Sequence, residues 1–121
     1  MLLRLDKQDD NLFFISVHGR ISQTAVEDCA ARLPQLIGES NLCKTILLNL
    51  RGAEQIDSSG ISWILNLDKQ IRQAGGKLIL HSVPLDIQHV FNLMKLNRVL
   101  TLVKNEAEAL SLISEENEHH G

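Results

Sequence analysis

The sequence predicts one α/β domain built on a mixed sheet of about five strands with about four α-helices. Three observations predict it. From Thr45 onward, apolar runs of strand length alternate with runs of helical spacing; before Thr45, two apolar runs flank a short polar break; and 121 residues suffice for one core of this kind. Strand, helix, strand, helix, strand, helix calls for parallel pairing with right-handed crossovers, and an N-terminal hairpin makes the sheet mixed.

Leu2 to Leu5 and Leu12 to His18 carry the apolar residues of the first two strands, around the break Lys7-Gln8-Asp9-Asp10-Asn11, and Gly19 ends the second. Ala25, Cys29, Leu33, Leu36 and Ile37 recur at helical spacing between Thr24 and Gly38, behind a cap at Ser22 or Thr24, with Pro34 weakening the middle. Thr45 to Leu50 (TILLNL) is almost continuously apolar, the pattern of a central strand covered on both faces. After a polar connection, Ile61 to Ala74 reads as a helix stopped at Gly75-Gly76, and Lys77 to His81 as the next strand. Ser82-Val83-Pro84 forms a turn, and Ile87, Val90, Phe91 and Met94 mark the inner face of a third helix. Val99 to Val103 is the last strand. Asn105 caps a closing helix with Ala107, Leu110 and Ile113 facing inward, so the domain spans residues 1–114 and 115–121 form a frayed polar tail.

Composition narrows the function. Leu, Ile and Val dominate the apolar set, so aliphatic packing supplies the core. A net charge of -3, with both signs interspersed, gives no basic stripe for a phosphate backbone, which excludes nucleic acid as a direct partner. Cys29 and Cys43 have neither CxxC nor metal-ligand spacing and read as buried free thiols of a reducing compartment. His18, His81, His89, His119 and His120 are spaced unsuitably for a metal, and no cofactor is expected. No stretch approaches the roughly 20 apolar residues that span a bilayer, so the expectation is a cytoplasmic protein without membrane insertion.

In folds of this order, function gathers in loops at the carboxyl ends of central strands, which points to Arg51–Gly60. Within Ile56-Asp57-Ser58-Ser59-Gly60, Asp57 can accept hydrogen bonds from the first amides of the next helix, and Ser58 falls at its first position. A phosphate on Ser58 would meet the positive end of the helix dipole. Gly60 permits a tight strand-to-helix turn, or the close approach of a partner backbone. Trp63 reads as a packing residue or as an interface anchor.

The segment IDSSGISWILNLDKQIRQAGGKLILHSVP resembles the central signature of STAS domains, and especially of the bacterial anti-sigma factor antagonists. It joins Asp-Ser-Ser-Gly at a helix start to a Gly-Gly stop, a following strand and a Val-Pro turn. The resemblance extends back to Val17-His18-Gly19-Arg20-Ile21 and forward through Phe91 to Leu110. It implies a regulator that binds a protein partner, an anti-sigma factor that is also a serine kinase, and that lets go when Ser58 is phosphorylated; a phosphatase would reverse the mark. The implied contact surface holds Asp57, Ser58, Ser59, Gly60, Ile61 and Trp63, with Arg20, Ser22 and Thr24 on one rim. The chain departs from the family in having Arg20-Ile21-Ser22 where an acidic residue is usual, and Lys95 in place of the glycine before Leu96.

An enzyme would need Ser58 as an activated nucleophile, yet there is no GxSxG elbow and no base tied to it. A nucleotide-binding role lacks a Walker-type loop. The alternative to the phospho-switch is a STAS subunit acting as a constitutive structural component of a signalling scaffold or a lipid transporter complex, which would not require modification of Ser58.

Overall fold

In the computed structural model, the described residues are 2–21 and 32–120. The chain order is β1 (Leu2–Gln8), β2 (Leu12–Ile21), α1 (Arg32–Ile37), β3 (Thr45–Ile56), α2 (Ser58–Gln73), β4 (Lys77–His81), α3 (Leu85–Leu93), β5 (Thr101–Leu102) and α4 (Glu106–His120). Single turns of 3-10 helix at Glu39–Asn41 and Leu96–Arg98 lead into β3 and β5. The five strands form one sheet in sequence order, with β1 antiparallel to β2 and every later pair parallel. Among the described residues this is the mixed sheet with four helices that the apolar pattern predicts.

Alternation along the strands sorts side chains onto two faces. Phe13, Ile15, Val17, Ile46, Leu48, Leu50, Leu78 and Leu80 form the larger core with Leu33 and Ile37 of α1, Ile61, Ile64, Leu67 and Ile71 of α2, and Ile87 and Phe91 of α3. The opposite face is apolar only toward the strands' amino ends, where Phe14, Leu47 and Ile79 pack under Ala109 of α4. Each of these buried aliphatic side chains contributes about 1.5–3 kcal/mol relative to exposure. Asp68 is the buried acid of α2; the Arg72 Nε lies 2.8 Å from its Oδ2.

Several elements differ from their sequence expectation, each for a reason set by neighbouring chain. β3 does not stop at Leu50 but runs twelve residues to Ile56, because β2 pairs with it as far as Ile21↔Ile56. Its polar residues Arg51, Glu54 and Gln55 are exposed outer positions of a strand, not a connection. β5 is shorter than Val99–Val103: Val99 N and Leu100 N donate to Leu96 O, so these residues close the preceding turn. The i+4 spacing of α1 would bury Leu36, yet only Leu33 and Ile37 face the core and Leu36 is exposed; Cys29 and the rest of that expected helix lie outside the described residues. Cys43 is a free thiol, but exposed, since it sits in the turn before β3 with its Sγ against the Ser40 carbonyl.

On α3 the inner face is Ile87 and Phe91, with Val90 half-buried, whereas Met94 falls past the helix end and is exposed. Asn105 caps α4 as predicted, its Oδ1 accepting from Glu108 N at 2.9 Å. The inward side chains are Ala109, Leu112 and Ile113, while Ala107 and Leu110 face out. Two apolar stripes share this helix, and the one formed by Ala109, Leu112 and Ile113 packs on Phe14, Leu47 and Ile79. Its backbone stays helical to His120, through most of the stretch expected to fray. The stop of α2 follows expectation: Gly75 adopts φ +89, Gly75 N donates to Arg72 O and Gly76 N to Ile71 O.

His81 closes β4 with 3% exposure, its Nδ1 2.8 Å from Ser82 Oγ. Burial holds its pKa below the ordinary 6.5; Glu106 opposes this and Arg51 adds to it. The unfolded chain therefore takes up a proton that the fold refuses, and stability present above pH 6.5 is lost as the pH falls through that value. The urea midpoint is expected to drop between about pH 7.5 and about pH 5.5, and His81→Gln should flatten that part of the profile. The depressed pKa of Asp6, where Arg4, Ser16 and His18 together outweigh burial, acts only in the lower carboxylate range.

Candidate functional site

Strand β3 delivers the chain to the sheet's carboxyl edge and α2 begins one residue later. Asp57 remains extended (φ -111, ψ -176), and its Oδ1 accepts from Gly60 N at 2.9 Å while its carbonyl accepts from Ile61 N at 3.0 Å. This is the cap that the sequence predicts. The Asp57 amide in turn donates to Ile21 O at 3.2 Å, which fastens the helix start to the end of β2.

Gly60 completes the junction. A methyl group built on it would stand 2.7 Å from Ile21 Cγ2, 2.8 Å from Ile56 Cγ1, and closer still to the Ile21 carbonyl oxygen. The close approach that this glycine permits is therefore internal, between α2 and β2, and not toward a partner backbone.

With the tip fixed in this way, Asp57 and Ser58 are exposed, Ser59 is half-buried, and Gly60 and Ile61 are buried. Ser58 occupies the first helical position, where the free amides of a helix end and the positive end of its dipole favour an anion. Trp63 is 6% exposed and belongs to the main core, so it is a packing residue; one edge also walls a surface groove of about 430 Å³. Ser58, Ser59, Ser62, Asn66, Leu67 and Gln70 complete that groove. Sequence reasoning missed Ser62, Asn66 and Gln70, although small polar residues every fourth position from Ser58 were the signal for one exposed ridge. Arg20 is exposed on β2 opposite Gln55, and Ser22 and Thr24 lie outside the described residues.

A capped Asp-Ser-Ser-Gly tip at the carboxyl edge of a mixed five-stranded sheet agrees with the family match, which covers residues 4–109 with the STAS domain. The chain belongs to the STAS domain family. A curated relative, the anti-sigma F factor antagonist of Paenibacillus polymyxa, is 30% identical over 69 residues, or 57% of this chain and 59% of that one. The STAS chain thus spans about three-fifths of the length of that relative. Among solved structures, an anti-sigma-factor antagonist (STAS) domain protein from Planctomyces limnophilus superposes with a TM-score of 0.74 at 21% identity, covering 93% of this chain and 97% of the other. The Bacillus cell fate determinant SpoIIAA in its phosphorylated form gives 0.67 at 22% identity, covering 93% and 99%. At these identities the structures establish the fold. Among the described residues of this STAS domain, no helix is long and apolar enough to cross a membrane, and no group of His, Cys, Asp and Glu side chains could hold a metal ion.

Two substitutions test the junction by urea unfolding. Asp57→Ala should cost about 1 kcal/mol through loss of the cap. Gly60→Ala should be destabilising: overpacking against Ile21 and Ile56 costs about 1–3 kcal/mol, of which helix propensity returns at most about 1 kcal/mol.

Proposed function

We propose that this STAS domain is a cytoplasmic anti-sigma factor antagonist that binds an anti-sigma factor serine kinase through the α2 tip and is released when that kinase phosphorylates Ser58. The observation that carries the reading is the exposed serine at the first position of a helix pinned by Asp57 and Gly60. The likeness to an anti-sigma F factor antagonist supports the partner class, and the fold shared with a relative known in a phosphorylated form supports the switch. Ser58 serves here as the acceptor of a phosphoryl group and not as a catalytic nucleophile, in keeping with a regulator.

The physics sets the direction and size of the switch. Phosphorylation adds about two negative charges at neutral pH. Within the domain, the helix dipole offsets part of the repulsion from Asp57, so the fold tolerates the group. In a docked interface the same charge, left unpaired, costs on the order of 3 kcal/mol. At about 1.4 kcal/mol per factor of ten, that is roughly a hundredfold loss of affinity.

Calorimetric titration of wild type, Ser58→Ala and Ser58→Asp against the cognate kinase tests this. Ser58→Ala should bind within a few-fold of wild type and take up no phosphate by intact mass, and Ser58→Asp should bind at least about tenfold more weakly. Equal, tight binding by both variants would refute the switch.

A further inference from the structure

We infer that the corner between α3 and β5 is a second docking surface, fitted to an acidic partner segment that carries apolar side chains, and that it operates independently of the Ser58 tip. The parallel order of β2 to β5 puts Ser58 at the sheet's carboxyl edge. Helix α3 starts at that edge and runs back, so its end and the turn Leu96–Arg98 lie at the amino edge, the opposite pole of the domain. At this pole Leu93 is 83% exposed, Met94 52% and Val99 53%. Three large apolar side chains within seven residues are more than scattered surface exposure, and such patches mark interaction sites when polar groups rim them.

The chain segment that forms this corner carries charge of one sign. From Gln88 to Lys104 the sequence contains no Asp or Glu, and Lys95 and Arg98 are exposed at this pole, in a chain whose net charge is -3; Lys104 stands at the far end of β5, where its carbonyl accepts from Ser82 N at 3.2 Å. Lys95 holds the left-handed conformation (φ 57), where glycine would be less strained, so a cation is kept at a position where backbone preference disfavours it. A groove of about 380 Å³ between α3 and the free edge of β5 opens at Asn92 and Asn97, next to the projecting side chains in sequence, and runs over Phe91, Leu102 and Val103 toward Val83, Gln88 and Lys104 at the carboxyl edge. Among the described residues, Glu108 is the acidic one that lines it, at the far end, where its Oε2 accepts from Lys104 N at 2.8 Å. Projecting apolar side chains next to a groove suit a protein segment that inserts its own side chains, whereas a bilayer would use the projection alone. Opposite charge on that segment completes the match.

The test uses fluorescence anisotropy with a labelled amphipathic peptide of Glu and Leu, the same peptide with Lys for Glu, and phosphatidylglycerol vesicles. The Glu peptide should bind wild type and Ser58→Asp alike, weaken with salt, and lose at least about tenfold in affinity with Leu93→Ser/Arg98→Glu. Lys95→Gly separates binding from folding: it should unfold at the same or a higher temperature, because glycine accepts the left-handed conformation, and still bind the peptide more weakly. Absence of Glu-peptide binding, equal binding of the Lys peptide, unchanged affinity in the variants, or binding to vesicles in place of the peptide would overturn the inference. Because Ser58→Asp is one of the arms, failure of this surface is distinguishable from failure of the phospho-switch.

Discussion

The backbone of Ile21 is the anchor on which the functional end of this STAS domain depends. Its carbonyl accepts the Asp57 amide, and the same oxygen is the nearest obstacle to any side chain at position 60. A single residue at the end of β2 thereby fixes both the last extended residue before α2 and the first turn of that helix. Held from two sides, the tip has little freedom to retreat, and the hydroxyl-bearing residue at position 58 remains at the surface. The fold beneath it is braced by β-pairing and by the apolar core under Ile61 and Ile64.

The long β2–β3 pairing makes that anchor available. Past Asn49, β3 leaves β4 behind and continues with β2 alone through an irregular register. Gly19, at φ +89, sits beside one of the shifts, and the ring of His18 lies close over Gly52. The polar side chains of this stretch belong to a two-stranded extension beyond the main sheet, and they are exposed for that reason. The site is thus carried on an arm of regular structure, which positions a side chain more precisely than a loop of equal length would.

The two faces of the sheet are unequal in a way that matters for electrostatics. The face under α1, α2 and α3 is apolar throughout. The other is apolar only where α4 covers Phe14, Leu47 and Ile79, and it turns polar toward the carboxyl ends at Ser16, Asn49 and His81.

Much of this was legible in the sequence. The strand and helix order, the Asp57 cap, the Gly75-Gly76 stop and the Asn105 cap all follow from side-chain periodicity and from the intrinsic backbone chemistry of those residues, which local sequence carries in full. The tertiary structure alone decided how far β3 runs, which stripe of α4 turns inward, that Trp63 is core, and that Leu93 and Met94 stand in solvent. These depend on hydrogen-bond partners and covering surfaces supplied by segments distant in the chain. A window of neighbouring residues records what each side chain prefers, but not which distant backbone or helix arrives to satisfy it.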